Sequence, residues 1–104
     1  METNLTKLEE WNYLLNEEHD FEKLQGEVIR ALGSYVEKGS FSDFLDIRLI
    51  LSKMTAMEDI ATSFYESFAE RVFGCLDCVD DEKKAALLEL YVIASRRLPT
   101  SYSP

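Results

Sequence analysis

Residues 20–39 read DFEKLQGEVIRALGSYVEKG and contain the clearest helical pattern in the chain. Their apolar side chains recur at intervals of three and four positions, which places them on one face of a helix. Asp20 is of a residue type that caps helix N-termini, and Gly39 is of the type that follows helix C-termini. The segment therefore predicts an amphipathic helix with one buried stripe. That stripe consists of Phe21, Leu24, Val28, Ala31, Leu32 and Tyr35.

A second helical pattern precedes this segment. Thr6 and Glu9 stand at the spacing of a capping box, in which the side chain of each residue bonds the backbone N–H of the other. Apolar residues again follow at intervals of three and four, so we expect a first helix over residues 6–18. Its buried positions are Leu8, Trp11, Leu14 and Leu15.

Three further helices are predicted after Gly39. Ser40 and Ser42 are candidate N-caps for a third helix, whose apolar stripe is wide enough to indicate burial on more than one side. Thr55 and Glu58 repeat the capping-box spacing, so we expect one helix to end and the next to begin there. The third helix presents Phe41, Phe44, Leu45, Ile47, Leu51 and Met54.

The fourth helix is expected to end near Cys78, and an acidic hinge at residues 79–81 follows it. The fifth helix extends over residues 82–98 and ends before Pro99, because the residue before a proline disfavours the helical conformation. The inward positions of the fourth helix are Met57, Ile60, Ala61, Phe64, Phe68, Val72 and Cys75.

No segment alternates apolar and polar residues between turn signals, as a half-buried strand does. A chain of 104 residues is long enough for one hydrophobic core and too short for two. The predicted fold is therefore all-α, a compact bundle of about five helices in a single domain of residues 1–99. Residues 100–104 are expected to form a flexible C-terminal tail.

The chain is strongly acidic. It has 20 Asp and Glu residues against 11 Lys and Arg residues, for a formal charge of −9. Such a charge repels nucleic-acid phosphates and anionic lipid headgroups, so we expect no direct binding to nucleic acids or membranes. A basic protein is the favoured partner. No apolar run reaches the length of a membrane span and no secretory signal is recognised, which predicts a cytoplasmic protein.

No combination of residues in the sequence indicates catalysis. Cys75 and Cys78 have a metal- or redox-type spacing, but a zinc site needs four ligands and there is no second cysteine pair. We expect both to be ordinary buried cysteines. His19 lies among carboxylates at a helix junction, but nothing in the sequence identifies a nucleophile or a substrate pocket for it, so we expect a capping or solvated surface role. We therefore expect no enzymatic activity, no catalytic residue, no metal and no cofactor.

The acidic residues are clustered. Residues 1–27 contain eight acids and two lysines, and residues 58–82 contain eight acids and one arginine. These stretches are either solvated helix faces or a docking surface for a basic partner, with two tyrosines as flat, amphipathic anchors. The candidate partner-binding residues are Glu9, Glu10, Tyr13, Glu17, Glu18, Asp20, Glu58, Asp59, Tyr65, Glu66 and Asp77.

Four residues outside the core stripes are further surface candidates. Phe73 and Ile93 form a candidate apolar patch for an oligomer or another partner, and the fifth helix is apolar around most of its circumference. Gly26 and Gly33 share one face of the second helix, away from its apolar stripe. They are either tolerated exposed glycines or a place where another backbone approaches closely.

In size, acidity and helical pattern the chain resembles bacterial immunity and antitoxin-type inhibitors, small proteins that occlude a basic nuclease or another toxin. The resemblance covers general character and no signature residues. It implies a non-enzymatic, acidic protein-binding module whose carboxylates occupy the basic active site of a toxin. Two alternatives stay open. One is a homo-oligomeric helical adaptor or structural protein, and the other is a DNA-mimic inhibitor of a nucleic-acid-binding protein.

Overall fold

The computed structural model describes residues 6–102, and within that range it contains helices and no strands. The all-α prediction is therefore confirmed. A π-helical turn, Leu14–Glu18, follows the first helix, and short 3₁₀ turns, Leu76–Cys78 and Ser95–Arg97, extend the last two. None of the described helices is long and apolar enough to cross a membrane. The α-helices are α1 (Lys7–Tyr13), α2 (Phe21–Lys38), α3 (Phe41–Thr55), α4 (Thr62–Cys75) and α5 (Asp81–Ala94).

Helix α2 has the bounds that its sequence predicts. The Asp20 carboxylate accepts a hydrogen bond from the backbone N–H of Lys23 at 3.2 Å and caps the first turn. Gly39 ends the helix with extended backbone, at φ −76° and ψ 157°. Its role is steric, because a Cβ at this position would overlap the Cα of Tyr35. The close approach of Gly39 to α2 lets the chain turn directly into α3.

The first helix differs from the prediction of one continuous helix. The capping box of Thr6 and Glu9 is present, but α-helical geometry stops at Tyr13 and the wider π turn follows. His19 then adopts a left-handed conformation, with φ 54°, which ends the turn. Two consecutive leucines, Leu14 and Leu15, are both buried, as the sequence predicts. The π turn itself is not predicted, because apolar residues at intervals of three and four do not distinguish a π turn from a continuing α-helix.

The boundary between α3 and α4 is also different. Helix α3 ends at Thr55 as predicted, but α4 begins only at Thr62, so the predicted start directly after Thr55 is wrong. The Thr55 hydroxyl donates to the carbonyl of Ser52 at 2.7 Å and does not cap a following helix. Residues 56–61 form a loop, which buried Ile60 anchors to the core.

The ends of the helices are fixed by three long-range hydrogen bonds from basic side chains. Lys53 donates to Asn12 at 2.8 Å, so α1 and α3 end at the same end of the bundle. Arg97 donates to the carbonyl of Thr55 at 3.1 Å, so α5 also ends there. We call this the π-turn end. Lys83 donates to the carbonyl of Tyr35 at 2.9 Å and joins the start of α5 to the end of α2, at the opposite end.

Helix α5 lies between α3 and α4 and contributes to the centre of the core. Leu87, Leu90 and Ala94 are fully buried, and Ile93 is buried as well. The prediction that Ile93 lies outside the core is therefore wrong, because two neighbouring helices cover a wider sector of α5 than one stripe does. Phe73 on α4 is half-buried, and its ring packs edge-on against Tyr91 with centroids 4.8 Å apart.

The C-terminal segment is described as far as Tyr102; residues 103 and 104 of the predicted tail, like residues 1–5, lie outside the described range. Tyr102 donates its backbone N–H to the carbonyl of Pro99 at 2.9 Å and is half-buried.

Candidate protein-binding surface

A shallow pocket lies beside the π turn, where α1 and α2 meet. Its volume is about 340 Å³. We call it the Tyr13 pocket. Three of the predicted partner-binding residues, Glu10, Tyr13 and Glu18, lie together in its wall. The full lining is Glu10, Tyr13, Leu14, Glu18, Lys23 and Glu27.

The secondary structure explains why these side chains meet. Glu10 and Tyr13 are three residues apart on α1, so they share one face of that helix. The π turn carries the chain from that face to Glu18, and α2 returns alongside it with Lys23 and Glu27 one turn apart. Single π-helical turns occur frequently at functional sites, because they redirect side chains that an α-helix would place elsewhere.

Tyr13 is the exposed aromatic residue of the pocket, with 52% of its surface accessible. Tyrosine combines a large flat apolar ring with a polar hydroxyl, and it is enriched among residues that dominate binding energies at protein interfaces. Its neighbours in the wall are mostly charged. An incoming side chain would therefore meet an aromatic surface flanked by carboxylates.

The charge of the pocket is negative. Glu10, Glu18 and Glu27 outnumber Lys23, and Glu27 is in addition paired with Arg30 at 3.1 Å. Across residues 6–102 the structure has two ion pairs, this one and Arg48 with Glu89. Most surface carboxylates in that range therefore have no intramolecular cationic partner. Their field extends into solvent over about a Debye length, roughly 8 Å at physiological salt.

Glu9 and Asp20, also predicted to bind a partner, have structural roles beside the pocket. The Glu9 carboxylate accepts a hydrogen bond from the backbone N–H of Thr6 at 2.9 Å. Bonds from the Thr6 backbone and hydroxyl lower the pKa of Glu9. Asp20 caps α2 through Lys23. Both carboxylates remain exposed, so each adds negative charge to the surface while holding a helix terminus.

Three more predicted acids lie at the π-turn end. Glu17 is exposed within the π turn itself. Glu58 and Asp59 are exposed in the loop that leaves α3, and the bond between Lys53 and Asn12 places the end of α3 beside the end of α1. This end of the bundle thus collects acids from both clusters in the sequence.

Two predicted acids lie away from the Tyr13 pocket. Glu66 is half-buried within α4. The pKa of Tyr102 is raised, first by burial of its hydroxyl and then by nearby charges that include Glu70 and Glu66. Asp77 lies in the 3₁₀ turn after α4, at the opposite end of the bundle from the π turn. The predicted residues therefore do not form one continuous surface.

Tyr65 is not a surface anchor, contrary to the prediction. Its side chain is fully buried, 0% exposed, because α4 turns it towards the core beside Phe64, with ring centroids 5.0 Å apart. The Tyr65 hydroxyl has no hydrogen-bond partner. Burial raises the pKa of Tyr65 to about 12, although the nearby Arg97 guanidinium acts in the opposite direction.

Sequence reasoning missed three lining residues, Leu14, Lys23 and Glu27. Leu14 was assigned to the core, and it is buried while also forming part of the pocket wall. Lys23 and Glu27 are four residues apart on α2, so helical periodicity could have put them on one face. Helical periodicity could not predict the angle between α1 and α2, because the π turn between them sets that angle.

The residues considered for catalysis have unremarkable environments. Cys75 is half-buried and Cys78 is exposed, so the expectation that both are buried is wrong; they lie where α4 ends and the chain turns towards solvent. A ring nitrogen of His19 bonds the carbonyl of Asn16 at 3.1 Å, and the ring stacks on Phe21. Among residues 6–102 there is no group of three His, Cys, Asp or Glu side chains that could hold a metal ion.

Gly26 and Gly33 lie on a groove between α2 and α4. No atom of the protein lies within 4 Å of a Cβ built at either position, so no neighbouring backbone of this chain requires them. Ile29 and Arg71 also line this groove. The glycines leave its floor open.

Comparison with known proteins gives no further guide to this surface. No protein-family model matches the chain, and neither a curated protein nor a solved structure matches it.

Proposed function

We propose that this protein is a non-enzymatic binding protein whose acidic surface around the Tyr13 pocket docks onto a basic site of another protein. One observation carries the proposal: an exposed tyrosine lies in a concave site with Glu10 and Glu18, neither of which has an ion-pair partner in the described chain. An aromatic anchor flanked by unpaired carboxylates suits a protruding lysine or arginine side chain.

The two kinds of residue have different effects on binding. The carboxylates at the π-turn end steer a cationic partner during encounter and raise the association rate at low salt. Tyr13 acts after encounter, because burying its ring and satisfying its hydroxyl slows dissociation. The helical scaffold holds both in place before binding, so little ordering of this chain is required.

The general resemblance to immunity and antitoxin-type inhibitors suggests the class of partner. In that reading, the acidic surface occludes the cationic active site of a nuclease or another toxin. A DNA mimic is the special case in which the carboxylates replace phosphates on the partner's nucleic-acid site. Competition identifies a DNA mimic: an added DNA duplex displaces it from the partner's nucleic-acid site, whereas the duplex leaves this protein bound to a toxin whose basic site does not bind DNA.

The test begins by using the full chain as bait to capture proteins from its native source. A captured protein counts as the partner only if its purified form binds the chain directly. We expect Glu10→Lys with Glu18→Lys to weaken that binding at least about a hundredfold, because each reversal replaces an attraction with a repulsion. Tyr13→Ala should weaken it by at least about tenfold, mainly through faster dissociation.

Glu37→Lys is the matched control for charge. Glu37 is exposed near the end of α2, away from the Tyr13 pocket, so its reversal changes the net charge by the same amount as each of the two pocket reversals does, without altering the pocket. Its effect should be less than about threefold at physiological salt, where distant charges are screened. Equal losses in the pocket variants and in Glu37→Lys would refute a localised docking surface.

A further inference from the structure

The two cysteines of the chain lie where α4 passes into the segment that leads to α5. Cys75 is the last residue of α4, and Cys78 is the last residue of the 3₁₀ turn that follows it. Both thiols are free. The proposed docking surface does not use them, because the Tyr13 pocket lies beside the π turn, at the opposite end of the bundle.

The local backbone places these two residues at the separation that a disulfide bond needs. Leu76, inside the turn, has φ −57° and ψ −35°. In a 3₁₀ turn, residues three apart lie on the same side, one above the other, with a rise of about 2.0 Å per residue. This geometry puts the Cα atoms of Cys75 and Cys78 about 6 Å apart. Disulfide bonds span Cα separations of about 4.4–6.8 Å, so the pair is within bonding range.

The two thiols differ in their access to solvent. Cys78 is exposed, whereas Cys75 is half-buried and packs against the hydrophobic core. Thiol–disulfide exchange requires access to the attacking sulfur, so a small disulfide in solution reaches Cys78 first. Cys75 is then the neighbouring thiol that can resolve the mixed disulfide. This pairing of an accessible thiol with a resolving thiol is typical of redox-sensitive sites.

Disulfide exchange is also the chemistry that these residues complete without further groups. A zinc site needs four ligands. Among residues 6–102, no third His, Cys, Asp or Glu side chain joins the two thiols to form a candidate metal site. A disulfide needs the two sulfur atoms alone.

We propose that Cys75 and Cys78 form a reversible intramolecular disulfide by exchange with a small disulfide such as oxidised glutathione. The Cys78 thiolate attacks one sulfur of the small disulfide, whose S–S bond breaks and releases one thiol. The Cys75 thiolate then attacks the Sγ of Cys78 and releases the second thiol. The two protein thiols are thus oxidised by two electrons, the small disulfide is reduced by two electrons, and the two protons pass to the released thiols.

The bond would fasten the end of α4 to the turn before α5. Leu76 and Val79, which lie beside the two cysteines, are half-buried and pack against the core. Because the reduced chain already holds the cysteines at bonding range, oxidation requires little movement of this corner. We therefore expect the disulfide to stabilise the folded chain, as an unstrained cross-link does.

The experiment exposes the purified, fully reduced chain to a mixture of oxidised and reduced glutathione. Remaining thiols are then blocked by alkylation, and the mass of the intact chain is measured. We expect the wild type to lose two hydrogen atoms and to take up no alkylating agent. This internal disulfide should exceed the mixed disulfide with glutathione at least about tenfold, because the second thiol is already in place. Excess dithiothreitol should restore both thiols.

The single-cysteine variants test the order of the two steps. Cys75→Ser and Cys78→Ser each keep one thiol, so both should stop at the mixed disulfide. The exposed thiol left in Cys75→Ser should react at least about threefold faster than the half-buried thiol left in Cys78→Ser, because access limits the attack.

The matched control for spacing combines Asp77→Cys with Cys78→Ser. It keeps two thiols but places them two residues apart, and side chains at that spacing do not face each other on a helical turn. Its internal disulfide should therefore not exceed its mixed disulfide. The control has the same number of thiols as the wild type, so a difference between the two proteins reports the position of the second thiol.

Urea denaturation tests whether the folded turn itself positions the thiols. Two cysteines three residues apart can also form a disulfide in an unfolded chain, so the mass measurement needs this second readout. We expect the oxidised wild type to unfold at a higher urea concentration than the reduced wild type. In Cys75→Ser the same treatment should give no such increase, because no internal bond forms.

Three results would overturn the proposal. The first is a wild-type chain that keeps two free thiols or stops at the mixed disulfide. The second is a spacing control that forms its internal disulfide as readily as the wild type does. The third is an oxidised wild type that unfolds at a lower urea concentration than the reduced chain, which would show that the turn must distort to form the bond.

Discussion

At the residue scale, the glycines differ in what a side chain would meet. A Cβ at Gly39 would overlap the backbone of Tyr35, whereas Gly26 and Gly33 have open space. We expect Gly39→Ala to lower the free energy of unfolding by about 1–3 kcal/mol, the usual cost of overpacking. Gly26→Ala and Gly33→Ala should each raise it by about 0.5–1 kcal/mol, because alanine restricts the unfolded chain and favours the helix. Urea denaturation of the three variants measures the change in the free energy of unfolding. No change in Gly39→Ala would contradict the steric role of Gly39.

Tyr65 provides a second prediction at this scale. Its buried hydroxyl has no hydrogen-bond partner, so Tyr65→Phe should raise the free energy of unfolding by about 1 kcal/mol at neutral pH. Tyr13→Phe, at an exposed position, should change it by less than about 0.5 kcal/mol. Urea denaturation of the two variants makes the comparison. A loss of stability in Tyr65→Phe would mean that the hydroxyl is bonded in solution.

The same residue predicts a response to alkaline pH. The pKa of Tyr65 is raised from 10.0 to about 12, so folding favours its neutral form. The resulting contribution is complete below pH 10 and is lost as the pH rises through about 12. We expect Tyr65→Phe to lose less stability than the wild type over this window, as measured by urea denaturation at each pH. If the free energy of unfolding depended on pH identically in the two proteins, the raised pKa of Tyr65 would be contradicted.

At the scale of elements, the capping box of α1 predicts a response to acid. The pKa of Glu9 is lowered from 4.5 by its bonds to Thr6, so the folded state favours the carboxylate. Its contribution is present above pH 4.5 and is lost as the pH falls through the lowered pKa. Glu9→Gln should have a lower melting temperature than the wild type at neutral pH. The difference between the two melting temperatures should disappear in acid, where the Glu9 carboxylate is protonated. Glu37→Gln is the control. A difference in melting temperature between Glu9→Gln and the wild type that does not change with pH would contradict a stabilising role for the ionised Glu9 carboxylate.

The loop at residues 56–61 depends on one side chain of the last helical turn. Arg97 donates to the carbonyls of Thr55 and Met57 at 3.1 and 3.3 Å. Arg97→Ala should lower the free energy of unfolding by about 1.5–3 kcal/mol, the usual range for bonds to charged groups. Hydrogen exchange should accelerate first in this loop. Arg71→Ala, at an exposed position, should do neither, and equal exchange in both variants would show that Arg97 does not hold the loop.

The existence of the five helices could be predicted from the sequence, whereas the end of α1 and the start of α4 could not. The stripe of α2 and its caps are local properties, which is why residues 20–39 contain enough information to place it. The π turn after Tyr13 and the late start of α4 at Thr62 are set by tertiary packing, which buries both Leu14 and Leu15 and anchors Ile60. Local capping signals do not encode those contacts.

At the scale of the whole molecule, the acidic character of the surface was easier to predict from the sequence than the positions of individual side chains. The sequence places Glu10, Tyr13 and Glu18 near each other along the chain, and the structure gathers them in one pocket. It could not reveal that Tyr65 and Ile93 point inward, because both helices bury a wider sector than one stripe. Nor could it separate Asp77 from the π-turn end, since that distance depends on the direction of each helix.

The central claim is that the acidic surface around the Tyr13 pocket captures a basic protein. The most direct measurement is the association rate constant with the purified partner at low and high salt, for the wild type and for Glu10→Lys with Glu18→Lys. We expect the wild-type rate to fall at least about tenfold as salt is raised, and the variant to be slow with little salt dependence. A rate that is independent of salt and equal in the two proteins would contradict the claim.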